Sequence, residues 1–189
     1  MSRPNAESVP DPWRSPVSVV QIPDTGLHRK LKASAVELQA IAEAGGLREV
    51  LSAEAAFDIV PRSGGRFEVT GHVRARIGQT CVVTLDPIES EIDEKVDLVF
   101  APEAEVRRMA DLIEEGEDYA EPPEVIDPPE AIRNGIIDLG RIATDALFLA
   151  VDPYPRKEGV VFEAEVTALD PEDHPFAALK ALQDRKKGK

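Results

Sequence analysis

Cysteine is almost absent from this chain of 189 residues, in which Cys81 is the only one. A single thiol cannot form an internal disulfide, and it cannot supply a zinc site that is built from several cysteines. Chains without disulfides are typical of a reducing compartment, so we expect a cytoplasmic protein.

Long apolar runs are also missing. The longest covers residues 146–151, far short of the roughly 20 residues that a membrane-spanning helix needs. The first residues do not combine basic and apolar stretches as a secretion signal does. We therefore expect no membrane partner.

Basic residues are fewer than acidic ones. The 22 Lys and Arg stand against 36 Asp and Glu, which gives a formal charge of −14, and nine of these acids lie in residues 111–130 without any Lys or Arg. The same segment contains several prolines, and a chain with high like charge and prolines does not bury a core. We therefore predict an acidic loop here, which is either solvated or docks a basic partner. The other residues carry only −5, which disfavours broad coating of nucleic acid but leaves room for local basic patches.

Motifs for catalysis and ligand binding are not recognisable. His28, His72 and His174 stand in separate contexts without metal-ligand spacing, and no carboxylate pair is singled out for acid–base work. The sequence around Ser63 lacks the pattern of a phosphate-binding loop and the helix that follows one. We predict no catalytic residue, no metal site, no cofactor and no enzymatic activity.

Apolar periodicity predicts an α+β fold. Strands are expected over residues 51–59, 67–77, 88–100 and 160–166, and main helices over residues 33–44 and from Asp138 through Ala150. Leu51 begins the inward face of the first of these strands in this prediction. A short C-terminal helix should start at Pro175. The expected sheet is antiparallel and curved or barrel-like, with four or five strands.

Two arginines on the expected middle strand admit two interpretations. Arg74 and Arg76 would lie opposite the acidic outward face that runs from Glu89 to Asp97, if residues 78–87 connect the strands. In the first interpretation the two arginines pair with these carboxylates across the sheet. In the second they form a basic stripe that faces RNA. Other local basic sites are Arg29, Lys30 and Lys32, the pair Arg156 and Lys157, and the C-terminal residues.

Two segments resemble a known family. Residues 71–88, GHVRARIGQTCVVTLDPI, are similar to the central motif of the YceD family, the large ribosomal RNA subunit accumulation proteins. The second block begins with Ile-Asp-Leu-Gly at residues 137–140 and ends with Asp-Pro-Tyr-Pro-Arg at 152–156, and residues 175–179 are similar to the end of the alphaproteobacterial branch. The motif positions are Gly71, Gln79, Cys81, Leu85, Pro87, Asp138, Leu139, Gly140, Pro153, Tyr154, Pro155 and Arg156.

The resemblance implies a bacterial cytoplasmic protein that is not an enzyme and that supports synthesis, processing or stability of 23S ribosomal RNA. It also implies partners: this RNA or its precursor, contacted directly or indirectly, and a small basic protein of the large ribosomal subunit. Many members carry a Cys-x-x-Cys-Leu unit. Here Cys81 and Leu85 match, but Thr84 stands where the second cysteine would be, which argues against zinc.

The prolines near the start, the extent of the resemblance and the basic end of the chain together predict a domain organisation. We expect an extended N-terminal arm over residues 1–16, one YceD-like domain over 17–182 with at most one short strand near residues 17–22, and a basic tail over 183–189. Candidate contacts with RNA or a partner are Arg74, Arg76, Tyr154, Arg156 and Lys157. Tyr154 is either packed on the sheet at a stiff helix exit or presented, with Arg156, for stacking and charge contact.

Overall fold

The computed structural model of the chain describes residues 11–114 and 128–161. Strands are β1 (Pro16–Ser18), β2 (Leu27–Lys32), β3 (Glu49–Arg62), β4 (Arg66–Thr80), β5 (Pro87–Pro102), β6 (Glu130–Ile132) and β7 (Ile136–Asp138). Helices are α1 (Ala35–Gly45), α2 (Glu103–Glu114) and α3 (Leu139–Ala150). The α+β class predicted from periodicity is confirmed.

The main sheet has the strand order β2-β3-β4-β5-β6, and β1 pairs with β7 in a separate ladder. All neighbours are antiparallel except β5 and β6, which run parallel over three residues. The sheet is therefore mixed, and the expectation of a purely antiparallel sheet is wrong at β6. The described strands run open from β2 to β6 without closing a barrel, and strong curvature stays a prediction.

Apolar residues at every second position form the core-facing side of β3 and β4. Phe57, Ile59, Val69, Val73 and Ile77 are completely buried, and each lies on the face that a period of two predicts. Leu51 does not follow this pattern. The β3–β4 register shifts between Val50 and Ser52, and this bulge turns Leu51 toward solvent while Val50 is buried.

Local capping sets the ends of α1. Ser34 and Glu37 form a capping box in which each side chain binds the other residue's backbone N–H, so the helix begins at Ala35 and not at the predicted Ala33. Gly46 has φ +60° and ends the helix in the left-handed conformation. The predicted glycine stop is confirmed.

Helix α3 is tied to the segment that precedes the sheet. Leu139, Ala143 and Leu147 are completely buried on its inner side, which packs on β4 and β5. Trp13 is buried in the same core, so residues 13–18 lie against the body of the fold through Trp13 and β1. The strand expected near residues 17–22 is short, because a 3-10 turn over Val19–Gln21 follows Ser18.

Four elements were not expected from the sequence: β2, α2, β6 and β7. Helix α2 reaches Glu114, inside the segment predicted as an acidic loop, and β6 starts at Glu130. Residues 1–10 of the expected N-terminal arm, residues 115–127, most of the predicted strand at 160–166, the helix predicted from Pro175 and the predicted basic tail lie outside the described residues.

Candidate functional site

Asp138 organises the start of the second motif block. Its Oδ1 accepts hydrogen bonds from the backbone N–H of Ser15 at 2.8 Å, Gly140 at 3.1 Å and Arg141 at 3.4 Å. Its Oδ2 lies 3.6 Å from Nε of Arg14. The carboxylate therefore caps α3, as predicted, and also fixes the N-terminal segment. Leu139 beside it is completely buried.

The first motif block ends in a tight connection between β4 and β5. Thr80 pairs with Pro87, so residues 81–86 form the connection, four residues shorter than the expected 78–87. Cys81 closes it at both ends: its N–H donates to the Asp86 carbonyl at 2.8 Å, and its carbonyl accepts from the Leu85 N–H at 2.9 Å. Leu85 has φ +61° and a largely exposed side chain.

The exit of α3 docks on this connection. The Val82 N–H donates to the Pro155 carbonyl at 2.9 Å, and Nε2 of Gln79 donates to the Asp152 carbonyl at 2.8 Å. Nζ of Lys157 lies 3.1 Å from the Asp86 carboxylate. The two motif blocks, about 70 residues apart in sequence, thus meet in one place, which we call the motif junction (residues 79–86 and 152–157).

Gln79 is the buried anchor of the motif junction. Besides donating to Asp152, its Oε1 accepts from the Ser90 hydroxyl at 3.1 Å, and the side chain is nearly inaccessible. Buried amides keep their position when both ends are satisfied. Gln79 therefore joins β5, β4 and the helix exit.

The Cys81 thiol is held by hydrogen-bond donors inside the motif junction. The backbone N–H groups of Thr84 and Lys157 each lie 3.4 Å from Sγ. Hydrogen bonding by the Thr84 side chain, followed by these backbone donors, lowers the pKa of the buried thiol to about 6 against the opposing effect of burial. Thr84, where family members often have a second cysteine, thus stabilises the thiolate of the first.

The outer surface of the motif junction carries apolar and basic side chains together with the carboxylates of Asp86 and Asp152. Tyr154 is 71% exposed and Leu85 76%, and Arg156 and Lys157 are exposed beside them. The Tyr154 N–H donates to Oδ1 of Asp152 at 2.8 Å, which fixes the turn, while Pro155 is buried. The interpretation that packs Tyr154 on the sheet is therefore wrong.

Arg74 and Arg76 lie on the outer face of the sheet, where carboxylates meet them. Arg74 is 3.0 Å from Asp93, and Arg76 is 2.7 Å from Glu89 and 3.9 Å from Glu91. Antiparallel pairing of β4 and β5 creates these contacts, which agrees with the first of the two interpretations that the sequence left open. The structure does not place the two arginines in the motif junction.

Sequence reasoning missed several contacts at the site. Asp86, Ser90 and Asp152 carry no local pattern that separates them from ordinary polar residues, and their roles arise from the meeting of distant segments. The basic residues before α1 belong to β2, where Lys32 pairs with Glu54 at 2.7 Å. The residue that a local signal did mark is Asp138, through its position before an apolar helix.

The described residues contain neither a metal-binding cluster nor a membrane-spanning helix. No group of three or more metal-ligating side chains gathers within residues 11–114 and 128–161. None of the helices in those ranges has the length and hydropathy of a membrane span.

Comparison with known proteins gives a family. No curated protein and no solved structure matches the chain significantly. The family model described as "Large ribosomal RNA subunit accumulation protein YceD" matches residues 69–183, which is more than half of the chain and includes both motif blocks of the junction. The chain belongs to the YceD family of large ribosomal RNA subunit accumulation proteins.

Proposed function

We propose that this chain is a cytoplasmic, non-enzymatic factor for 23S ribosomal RNA synthesis, processing or stability, and that it contacts this RNA or its precursor directly through the motif junction. The family description supports the link to large-subunit RNA. The observation that carries the proposal is the meeting of both motif blocks at one surface with an exposed aromatic ring beside basic side chains.

The exposed groups have the chemistry for single-stranded RNA. A base stacked on the Tyr154 ring contributes about 1–3 kcal/mol. The Arg156 guanidinium binds a phosphate through two parallel hydrogen bonds, which a planar cation does better than an ammonium group. Lys157 contributes less, because Asp86 already neutralises its charge.

The backbone that carries these groups is fixed before binding. The Asp152 turn, the buried Pro155 and the Val82–Pro155 hydrogen bond hold residues 152–157 in place. A preformed surface loses little conformational entropy on binding, so a small contact area suffices for recognition. Arg74 and Arg76 play a structural role in this proposal, since RNA contact would require them to leave their carboxylates.

Depletion of the protein in its source bacterium tests the biological part. We expect 23S ribosomal RNA to fall relative to 16S, and re-expression of the wild-type chain to restore it. Equal loss of both RNAs, or of neither, would remove the proposed function.

Variants of the motif junction test the direct contact. Tyr154→Ala with Arg156→Glu should fail to restore 23S levels and should weaken binding to 23S fragments by about tenfold or more. Arg108→Glu is the matched control, because Arg108 is an exposed arginine on α2, which follows the opposite end of β5. If both variants restore 23S equally, the motif junction is not the contact site.

A second candidate function is an acidic binding module for a basic ribosomal protein without RNA contact. The charge of residues 111–130 favours it, but the acidic face of β5 does so less, since Arg74 and Arg76 occupy Asp93 and Glu89. Crosslinking from residues 111–130 and from Arg156 separates the two functions. A basic protein captured from the former, with no RNA from the latter, would favour the module.

A further inference from the structure

A groove of about 820 Å³ lies between the outer edge of β5 and helix α3. It is separate from the motif junction, with which it shares no residue. Its apolar lining includes Val96 and Leu98 from β5, Ala146 and Leu149 from α3, and Ile136 from β7. Leu149 is 88% exposed and Ile136 42%, so part of this surface is open to solvent in the described chain.

The β5 side of the groove is a strand edge. β6 pairs with β5 only at residues 100–102, and no other described strand pairs with that side of β5 between Pro87 and Val99. An edge of this kind presents a row of backbone N–H and C=O groups, to which an extended peptide adds as a further strand.

The charged residues around the groove indicate the charge of the peptide that would bind there. Six carboxylates and four cations line it, a net −2, and two of the cations are already paired: Arg14 with Asp138 and Arg141 with Asp145. Glu94 and Glu130 have no ion pair within the described residues. Lys95 and Arg133 have no ion pair there either. The groove nevertheless keeps an excess of two carboxylates, which favours a basic partner.

Glu94 occupies an unusual position in the strand. By alternation it lies on the core-facing side of β5 between the buried Ile92 and Val96, yet it is exposed. Its neighbour on β4 in the register is the fully buried Val73. A charge that points inward on an edge strand prevents unspecific pairing with other strands, and here it would accept only a strand with a cation opposite.

The spacing of the carboxylates defines the ligand further. Glu130 lies opposite Phe100 in the β5–β6 register, six residues beyond Glu94, which corresponds to about 20 Å along a strand. A strand that pairs with residues 94–99 ends where Glu130 begins β6. Its first side chain would meet Glu94, and its third and fifth would face Val96 and Leu98. A seventh residue, just beyond the paired part, would bring a long cationic side chain to Glu130.

We propose that this groove binds an extended segment of a partner protein by strand addition to β5, and that the segment carries Lys or Arg at positions one and seven and apolar side chains at positions three and five. The site is independent of the RNA contact proposed for the motif junction.

The test uses the full chain and the blocked peptide Lys-Thr-Val-Thr-Val-Thr-Lys, whose palindromic sequence presents the same pattern in either strand direction. The comparison peptide has Glu at both ends. Fluorescence anisotropy should show saturable binding of the lysine peptide, about tenfold tighter than the glutamate peptide. Hydrogen exchange of the edge-facing backbone amides between residues 94 and 99 should slow when the lysine peptide binds.

Charge reversal then tests the two carboxylates. Glu94→Lys with Glu130→Lys should exchange the preference, so that the glutamate peptide binds better. Glu91→Gln is the control, because Glu91 lies on the outer face of the same strand, and it should leave both affinities within about twofold. Circular dichroism of each variant checks that the fold is retained.

Three results would overturn the proposal. One is no saturable binding, in which case Glu94 serves only to keep the edge unpaired. Another is equal affinity for both peptides. The last is a concentration-dependent dimer of the wild-type chain that the Glu94 and Glu130 reversals dissociate, since the groove would then be covered by a second copy.

Discussion

At two motif glycines, Gly71 and Gly140, the fold leaves no space for a Cβ atom. A Cβ on Gly140 would lie 2.5 Å from the Trp13 carbonyl oxygen and 2.8 Å from the Ser15 nitrogen, and a Cβ on Gly71 would collide with the Ala56 carbonyl oxygen. Both obstacles are backbone, which cannot move aside as a flexible side chain does. These motif positions therefore serve close packing and not chemistry.

Gly140→Ala should destabilise the protein because the N-terminal segment must move away from α3. We expect a loss of about 1–3 kcal/mol in the free energy of unfolding, the usual cost of overpacking, measured by urea denaturation. Arg141→Ala, a neighbouring exposed position on the same helix, should change it by no more than about 0.5 kcal/mol. Equal effects would show that the close approach is not limiting.

The Cys81 thiolate makes stability depend on pH. The pKa of about 6 in the folded protein lies below the ordinary value of 9.0, so the folded state binds fewer protons than the unfolded state between these values. Stability relative to Cys81→Ala should increase from pH 6 to pH 9, stay constant above, and be lost as pH falls through about 6. Urea unfolding at several pH values measures this difference, and a flat profile would contradict it.

The Thr84 hydroxyl is the first cause of that pKa shift. Thr84→Val should move the pKa of Cys81 upward, toward its ordinary value, whereas Thr84→Ser should keep it low. Ultraviolet absorbance of the thiolate reports the titration of this one thiol when it is taken as the difference from a Cys81→Ala chain with the same Thr84 substitution, since the chain has no other cysteine. Indistinguishable titrations of the two variants would exclude the hydroxyl as the cause.

At the scale of elements, buried hydrogen bonds and exposed ion pairs contribute unequally to the motif junction. Gln79→Ala leaves the Asp152 carbonyl and the Ser90 hydroxyl without their partner, so we expect a loss of about 1–3 kcal/mol. Lys157→Ala removes an exposed pair with Asp86 and should cost less than about 1 kcal/mol.

Chemical denaturation of both variants checks that Gln79→Ala loses more stability than Lys157→Ala. Hydrogen exchange at the Val82 amide shows whether residues 152–157 have separated from the connection between β4 and β5. If exchange at Val82 becomes faster in Lys157→Ala but not in Gln79→Ala, the ion pair with Asp86, and not the Gln79 side chain, holds these elements together.

Some elements were predictable from local sequence and others were not. Asp138 and Gly46 mark helix ends through their own conformation and capping, independent of what lies nearby. In contrast, β2 has basic residues on an edge strand, and its membership in the sheet depends on Ala55 and Phe57 in β3. The Leu51 bulge and the parallel β6 likewise depend on partner strands and not on local pattern.

At the scale of the molecule, the charge of −14 limits how RNA can bind. If the contact is confined to the motif junction, Arg156 meets a phosphate fully and Lys157, which is paired with Asp86, only in part. The logarithm of affinity for single-stranded 23S fragments should then fall with the logarithm of salt concentration with a slope between about −0.7 and −1.4. Titrations between low and physiological salt measure it, and a slope steeper than about −4 would indicate a second basic surface.

The sequence by itself determined the α+β class, the alternation of the central strands, the cap of α3 and the family, because periodicity, capping and motif order are local properties of the chain. Only the tertiary structure decided that the two motif blocks meet, that Tyr154 is exposed while Arg74 and Arg76 are paired, and that the described strands leave most of the β5 edge beside α3 unpaired. These features depend on segments far apart in sequence, and their contacts exist only once the backbone has closed around a common core.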